Sequence, residues 1–203
     1  MRMFSKVSPT APYVCRMMGP EHILRFWFSE RAAKYWFKSS DAFDSEIRRE
    51  FESTAIALAA AQAERKQAHK WEAQNPEAHL ALIIALDQFP RNMYRDTPAA
   101  FAWDGFALAA AKRMIARKTD IYLSQKQRPF AYMPFMHSED LADQETCVRL
   151  TDARLDDEST LKFAKIHRDI IARFARFPHR NQILGRDTSS EEQAFLDDGG
   201  FSG

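Results

Sequence analysis

The chain has 203 residues, enough for one ordinary domain or two small ones, and its 45% apolar and 28% charged content marks it as globular and not disordered. With 29 basic and 28 acidic side chains the formal charge is +1, a balance that speaks against a dedicated nucleic-acid binder. Two cysteines, Cys15 and Cys147, with no CxxC, exclude a thiolate metal centre and point to free thiols in a reducing, cytoplasmic compartment.

Residues 1–18 carry Arg2, Lys6 and Arg16 and no acid, yet lack the continuous apolar stretch of a signal peptide. They read as a disordered leader, or as a start placed upstream of Met17 or Met18, with a transit-type leader as the alternative. The folded domain is expected over 19–198, followed by a flexible Gly-rich tail at 199–203. No apolar run approaches the roughly 18 residues that a bilayer span needs, so no transmembrane segment is expected.

In chain order, Gly19–Pro20 opens a first helix, in which Ile23, Leu24, Trp27 and Phe28 recur at helical spacing. A short aromatic piece at Tyr35–Phe37 precedes a polar break at Ser39–Ser40. A long helix runs from Asp41 to about Gln67, with Phe43, Ile47, Phe51, Ala55 and Leu58 three or four residues apart. Its alanine-rich portion, Ala55–Ala63, permits close approach of another helix. Trp71 is expected in the connection that follows.

Asn75–Pro76–Glu77 is a helix start: an N-cap, a proline and an acid in the first turn. It opens a central helix with seven consecutive apolar residues, Leu80–Leu86, and Pro90 is expected to close it. Thr97–Pro98 opens another helix to about Lys118, with Asp104–Gly105 as a candidate break. Residues 120–134 read as irregular. Ser138 is expected to cap a helix to about Leu150, and Ser159 to start the last long helix, which ends before Pro178. Ser189-x-x-Glu192 is a capping box. No run alternates as a strand does. The fold class is all-α, with about eight or nine helices and no sheet.

Polar residues in apolar surroundings are the candidate chemistry. At about 100° per residue, Asp87 projects with Leu80, Ile83 and Ile84, so it is expected to be buried. Placed at a helix C-terminus, it needs a cationic or donor partner, or a raised pKa. Arg91 and Arg95 are nearest in sequence. The echo between LDQFPRN at 86–92 and RFPHRN at 176–181 adds Arg180. That echo also reads as two equivalent helix ends stopped by proline.

His167 falls within the apolar stripe of Phe163, Ile170, Ile171 and Phe174. Asp140 and Gln144 are expected to face inward, with Glu139 and Asp143 pointing elsewhere, and His137 is placed to read an anion or pack on Phe135. His137, Asp140 and His167 or His179 suit zinc or manganese by type, but no HExxH or comparable spacing exists, and neither metal nor cofactor is expected. The HRD at 167–169 has no glycine-rich loop or DFG beside it, so a kinase reading is refused. No nucleophile elbow accompanies Ser138, which has a capping job.

Three segments carry a resemblance: LDQFPRNMYRDTPAAFAWD at 86–104, PFMHSEDLADQE at 134–145 and HRDIIARFARFPHRNQILGRDTSSEE at 167–192. They are similar to the hallmark segments of the bacterial domain-of-unknown-function family nine-two-four, over roughly residues 20–198. The resemblance implies a single tetratricopeptide-like helical array and no established activity, substrate or catalytic residue. Where the family usually has Arg-Gly-Thr-Pro and Phe-Gly-Arg-Phe-Pro, this chain has Arg95-Asp96-Thr97-Pro98 and Phe174-Ala175-Arg176-Phe177-Pro178. The missing glycines touch the turn geometry at 96 and 175, not the fold.

Three readings follow. The first is a helical binding module whose pocket is lined by Asp87, Gln88, Arg91, Asn92, His137, Asp140, His167, His179, Arg180 and Asn181. It would take a small anionic ligand or the acidic end of a peptide. The second is an enzyme using Asp87 or Asp140 with His167 or His179 as acid and base. The third is a buried polar network with no ligand. The sequence leaves the oligomeric state open.

Overall fold

The computed structural model of the chain describes residues 17–64 and 69–201. Among them are nine α-helices and no strand: α1 (Pro20–Trp27), α2 (Asp41–Glu64), α3 (Lys70–Gln74), α4 (Pro76–Met93), α5 (Asp104–Ala116), α6 (Arg128–Met136), α7 (Leu141–Arg154), α8 (Glu158–Phe174) and α9 (Ser190–Asp197). Single 3-10 turns lie at Ala32–Tyr35, Pro98–Phe101, Asp120–Tyr122 and Pro178–Arg180. None of these helices is long and apolar enough to cross a membrane. Cys15 and the leader fall outside the described residues except for Met17 and Met18. Met18 belongs to the fold: its N–H donates to Thr54 Oγ1 at 2.9 Å and its side chain packs on the core.

The central helix is α4, because its apolar run leaves no face for water. Every residue from Ala78 to Pro90 is buried, and α1, α2, α3, α5 and α6 all pack on it. Close approach is made possible by small side chains on the helices around it, Ala55 and Ala59 on α2 and Ala107, Ala110 and Ala111 on α5. Trp27 fills the space beneath, edge-on to Phe89 (5.8 Å) and Phe130 (5.7 Å). A second, small core of Ile170, Ile171 and Phe177 lies between α8 and the C-terminal segment. The polar residues of interest sit between the two cores.

Several local expectations are corrected. α4 does not stop at Pro90 but runs three residues further, so Asp87 lies two turns inside the helix. A proline cannot donate to the carbonyl four residues back. Burial on all sides holds the helix together across that gap, and the Arg91 guanidinium donates to the Asp87 carbonyl at 2.6 Å. The connection around Trp71 is the helix α3, capped reciprocally by His69 and Glu72. The stretch read as irregular contains α6, with Pro129 in its first turn and Pro134 inside. Helix α7 starts two residues later than expected, and its cap is Asp140, which accepts from Ala142 N–H at 2.8 Å, rather than Ser138.

Two positions flagged by the family pattern keep the backbone a glycine would provide. Asp96 and Ala175 stand at φ 59° and 56°, the left-handed region, so both turns are made without the glycine, at a steric cost. Ala175 ends α8.

Candidate functional site

Asp87 is fully buried and gathers three donor side chains. His137 Nδ1 lies 2.8 Å from Oδ1, the Gln88 amide donates to Oδ2 at 2.5 Å, and Arg91 Nη1 stands 3.3 Å from Oδ1 while donating to the backbone oxygen. Burial acts to raise this carboxyl, but Arg91 and then His137 overcome it and hold the pKa far below the usual carboxylate range. The demand for a cationic partner is met by Arg91, one of the two arginines nearest in sequence. Arg95 turns away to Asp44, at 2.8 Å. The partner missed in the sequence is His137, the C-terminal cap of α6, fifty residues downstream.

Arg91 is itself held by a second carboxylate. Both its terminal nitrogens donate to Asp104 at 2.8 Å, a two-point fork at the start of α5. Asp104 is a further site residue that sequence reasoning passed over as a helix break. Burial, and then the Arg91 charge, push His137 below the ordinary histidine value, although the carboxylates of Asp87 and Asp104 pull the other way. His137 is therefore neutral at pH 7. Because an ionised carboxylate only accepts, the Asp87 contact fixes the proton on Nδ1.

Arg180 completes the cluster, from the 3-10 turn after Phe177. Its guanidinium is clasped between the rings of Phe101 (4.7 Å) and Phe177 (4.4 Å). Nη1 donates to the His137 carbonyl at 3.1 Å, and the Asp104 carboxylate stands 3.8 Å away, already committed to Arg91. Its Nε is buried with no acceptor among the described residues. Burial, then repulsion from Arg91, pull this guanidinium down to about 10. The two echoed segments thus deliver one arginine each to Phe101, whose ring also carries Arg91 at 5.7 Å. Their prolines are not equivalent: Pro90 lies inside α4, and Pro178 opens the 3-10 turn.

The remaining candidates divide. His167 and His179 border the cluster through Phe177, each ring 5.5 Å from it, and Phe201 covers both at 4.4 and 5.5 Å. Burial holds each histidine down to about 4. His167 Nδ1 donates to the Phe163 carbonyl at 2.8 Å. Asn92, Asp140 and Asn181 are placed elsewhere. Asn92 donates to Asp44 at 2.7 Å, Asp140 is an exposed helix cap, and Asn181 bonds Thr188 and Glu192.

The inward pair on α7 is Asp143 and Gln144, not Asp140 and Gln144, because the helix begins later. Glu139 turns to Arg186 at 2.8 Å and to the Phe177 N–H, bracing the turn that carries Arg180. In the HRD segment only His167 is buried; Arg168 and Asp169 point outward and pair at 2.6 Å. Among the described residues no three His, Cys, Asp or Glu side chains converge as a metal-holding group. A cavity of about 470 Å³ beside the cluster is lined by His179, Arg186, Gln182 and Gln193 among others. Another, of about 330 Å³, lies by Asp44, Asn92 and Arg95.

A family model described as "Bacterial protein of unknown function (DUF924)" matches residues 23–200. The chain belongs to that family. It is similar to the solved structure of a protein of unknown function from Agrobacterium tumefaciens, with 38% identity and a TM-score of 0.79 over 89% of this chain and 97% of that one. No curated protein matches the chain. The three DUF924-like segments meet in the cluster: 86–104 supplies Asp87, Arg91 and Asp104, 134–145 supplies His137, and 167–192 supplies Arg180.

Proposed function

We propose that this protein is a cytoplasmic, tetratricopeptide-like helical binding module whose site is the cluster of Asp87, Gln88, Arg91, His137 and Arg180, bordered by His167 and His179. Its ligand is a small anion or the acidic end of a peptide. The helical-array description is supported by the packing of successive helices in pairs from α4 to α8.

The observation that carries the site is Arg180. A guanidinium 6% exposed, flattened between two aromatic rings, has one hydrogen bond and no carboxylate of its own. An under-paired buried cation is costly, and an anion in its plane supplies the missing partner. The aromatic clasp fixes the ring plane beforehand, so little ordering is lost on binding.

The test is a thermal-shift screen of simple anions. A ligand that binds only the folded state at about 100 times its Kd adds about 2.7 kcal/mol. For a domain of this size that is a rise of roughly 5–10 °C. The shift is expected to vanish in Arg180→Met. A flat screen across carboxylates and phosphates sinks the reading.

A second reading is favoured by one contact. The Asp87–His137 pair has the form of an oriented base, so an acid–base enzyme would use this pair in place of His167 or His179.

A further inference from the structure

The tautomers of the two histidines nearest Arg180 constrain what the anion must carry. His137 Nδ1 faces Asp87 Oδ1 at 2.8 Å, and His167 Nδ1 faces the Phe163 carbonyl at 2.8 Å. Both partners accept only, so in each ring the proton sits on Nδ1 and the lone pair on Nε2. Neither Nε2 has a hydrogen-bond partner among the described residues. Arg180 binds the His137 carbonyl, and Phe177, which stacks on its guanidinium, lies 5.5 Å from the His167 ring, so both histidines adjoin groups that touch the same guanidinium. His137 is the more open, with 17% of its side chain exposed.

We infer that the ligand is an anion that also carries an O–H or N–H donor, such as an α-hydroxy acid or a protonated phosphate, and not a bare oxyanion. The inference rests on the anion-site reading above and narrows its ligand class. A bare carboxylate or sulfate satisfies Arg180 but sets its remaining oxygens against the Nε2 lone pairs. A hydroxyl or a P–O–H group donates to them while its charged oxygens lie in the guanidinium plane. Sites built around a fixed acceptor discriminate strongly against ligands that lack the matching donor. Asp87 is then a positioning residue, since it sets which ring nitrogen of His137 accepts.

The experiment is calorimetric titration of the whole chain with two matched pairs, glycolate against acetate and inorganic phosphate against sulfate. Glycolate and phosphate are expected to bind about tenfold or more tightly than their partners, the effect of one buried acceptor satisfied or not. In Asp87→Asn the amide can donate to Nδ1, moving the proton to Nε2, and the preference is expected to shrink or reverse toward acetate and sulfate. Equal affinities within both pairs overturn the donor requirement while leaving the anion site standing. Binding by none of the four overturns both.

Should the Asp87 variant fail to fold, nitrogen-15 spectra of the wild-type imidazoles decide. Unprotonated Nε2 in His137 and His167 is expected, and a protonated Nε2 in His137 overturns the inference.

Discussion

The two ends of α4 hold two polar clusters built from the same residue types, and they differ in where the surplus charge lies. At the N-terminal end Glu72, fully buried, accepts two bonds from Arg113 at 2.7 Å and one from the His69 N–H. His79 meets the Ala110 carbonyl at 3.0 Å. The extra cation there, Arg117, has 43% of its side chain in solvent. At the C-terminal end the extra cation is Arg180, which is buried. A spare charge in water costs almost nothing, whereas one in a dry interior asks for a counter-ion. In the first cluster the spare cation is solvated; in the second it is buried, with its Nε unpartnered among the described residues.

That contrast is broken most forcefully at Glu72. Glu72→Ala leaves Arg113 and His79 without their carboxylate and is expected to cost about 3–5 kcal/mol in urea unfolding. The mirror experiment, Arg180→Met, is expected to change the stability of the ligand-free protein by less than about 1 kcal/mol, or to raise it, because an under-paired buried cation is replaced by a flexible apolar chain. A loss as large as that at Glu72 would make Arg180 a structural staple and erase the distinction.

Acidity probes both ends. Burial lowers His79 at one end and His167 and His179 at the other to about 4, against about 6.5 in an unfolded chain. Between those values the unfolded chain binds protons that the native state refuses. Stability is therefore full above about pH 6.5 and falls as pH drops toward 4, by at most about 1.4 kcal/mol per pH unit for each histidine. His79→Gln and His167→Phe are each expected to flatten that slope by one histidine's share. An unchanged slope in both would show that the rings are protonated in the native state.

A gain in stability is expected at the turns that flank the second cluster. Ala175→Gly relieves a left-handed alanine and is expected to stabilise by about 1 kcal/mol, with Asp96→Gly gaining less, since an aspartate tolerates that backbone better. A loss in thermal unfolding at Ala175 would mean that its methyl group packs.

Much of this architecture is legible in the residues. The run Leu80–Leu86 announces a central helix, and the Ser189/Glu192 box and the Asn75–Pro76 start are where they are expected. The burial of Asp87 follows from helical register, and its need for a cation from its surroundings, with Arg91 one of three arginines the sequence offers. What could not be read is tertiary. His137 reaches Asp87 only because α6 packs on α4, and α6 itself is hidden by two prolines that weaken its helical signal. Asp104 looked like a break because its role is set by Arg91, thirteen residues away across a turn. Asp140 was misjudged because α7 begins after it, which leaves it as an exposed cap and not on a helix face. Burial overrode local preference at Pro90 and hid the continuation of α4.

Phe201 ties the site to the Gly-rich segment that follows α9. Its ring rests on His167 and His179, within the stretch that composition marks as a loose tail. Replacing Phe201 by alanine would bare both imidazoles, so this one ring acts as the cover of the two histidines.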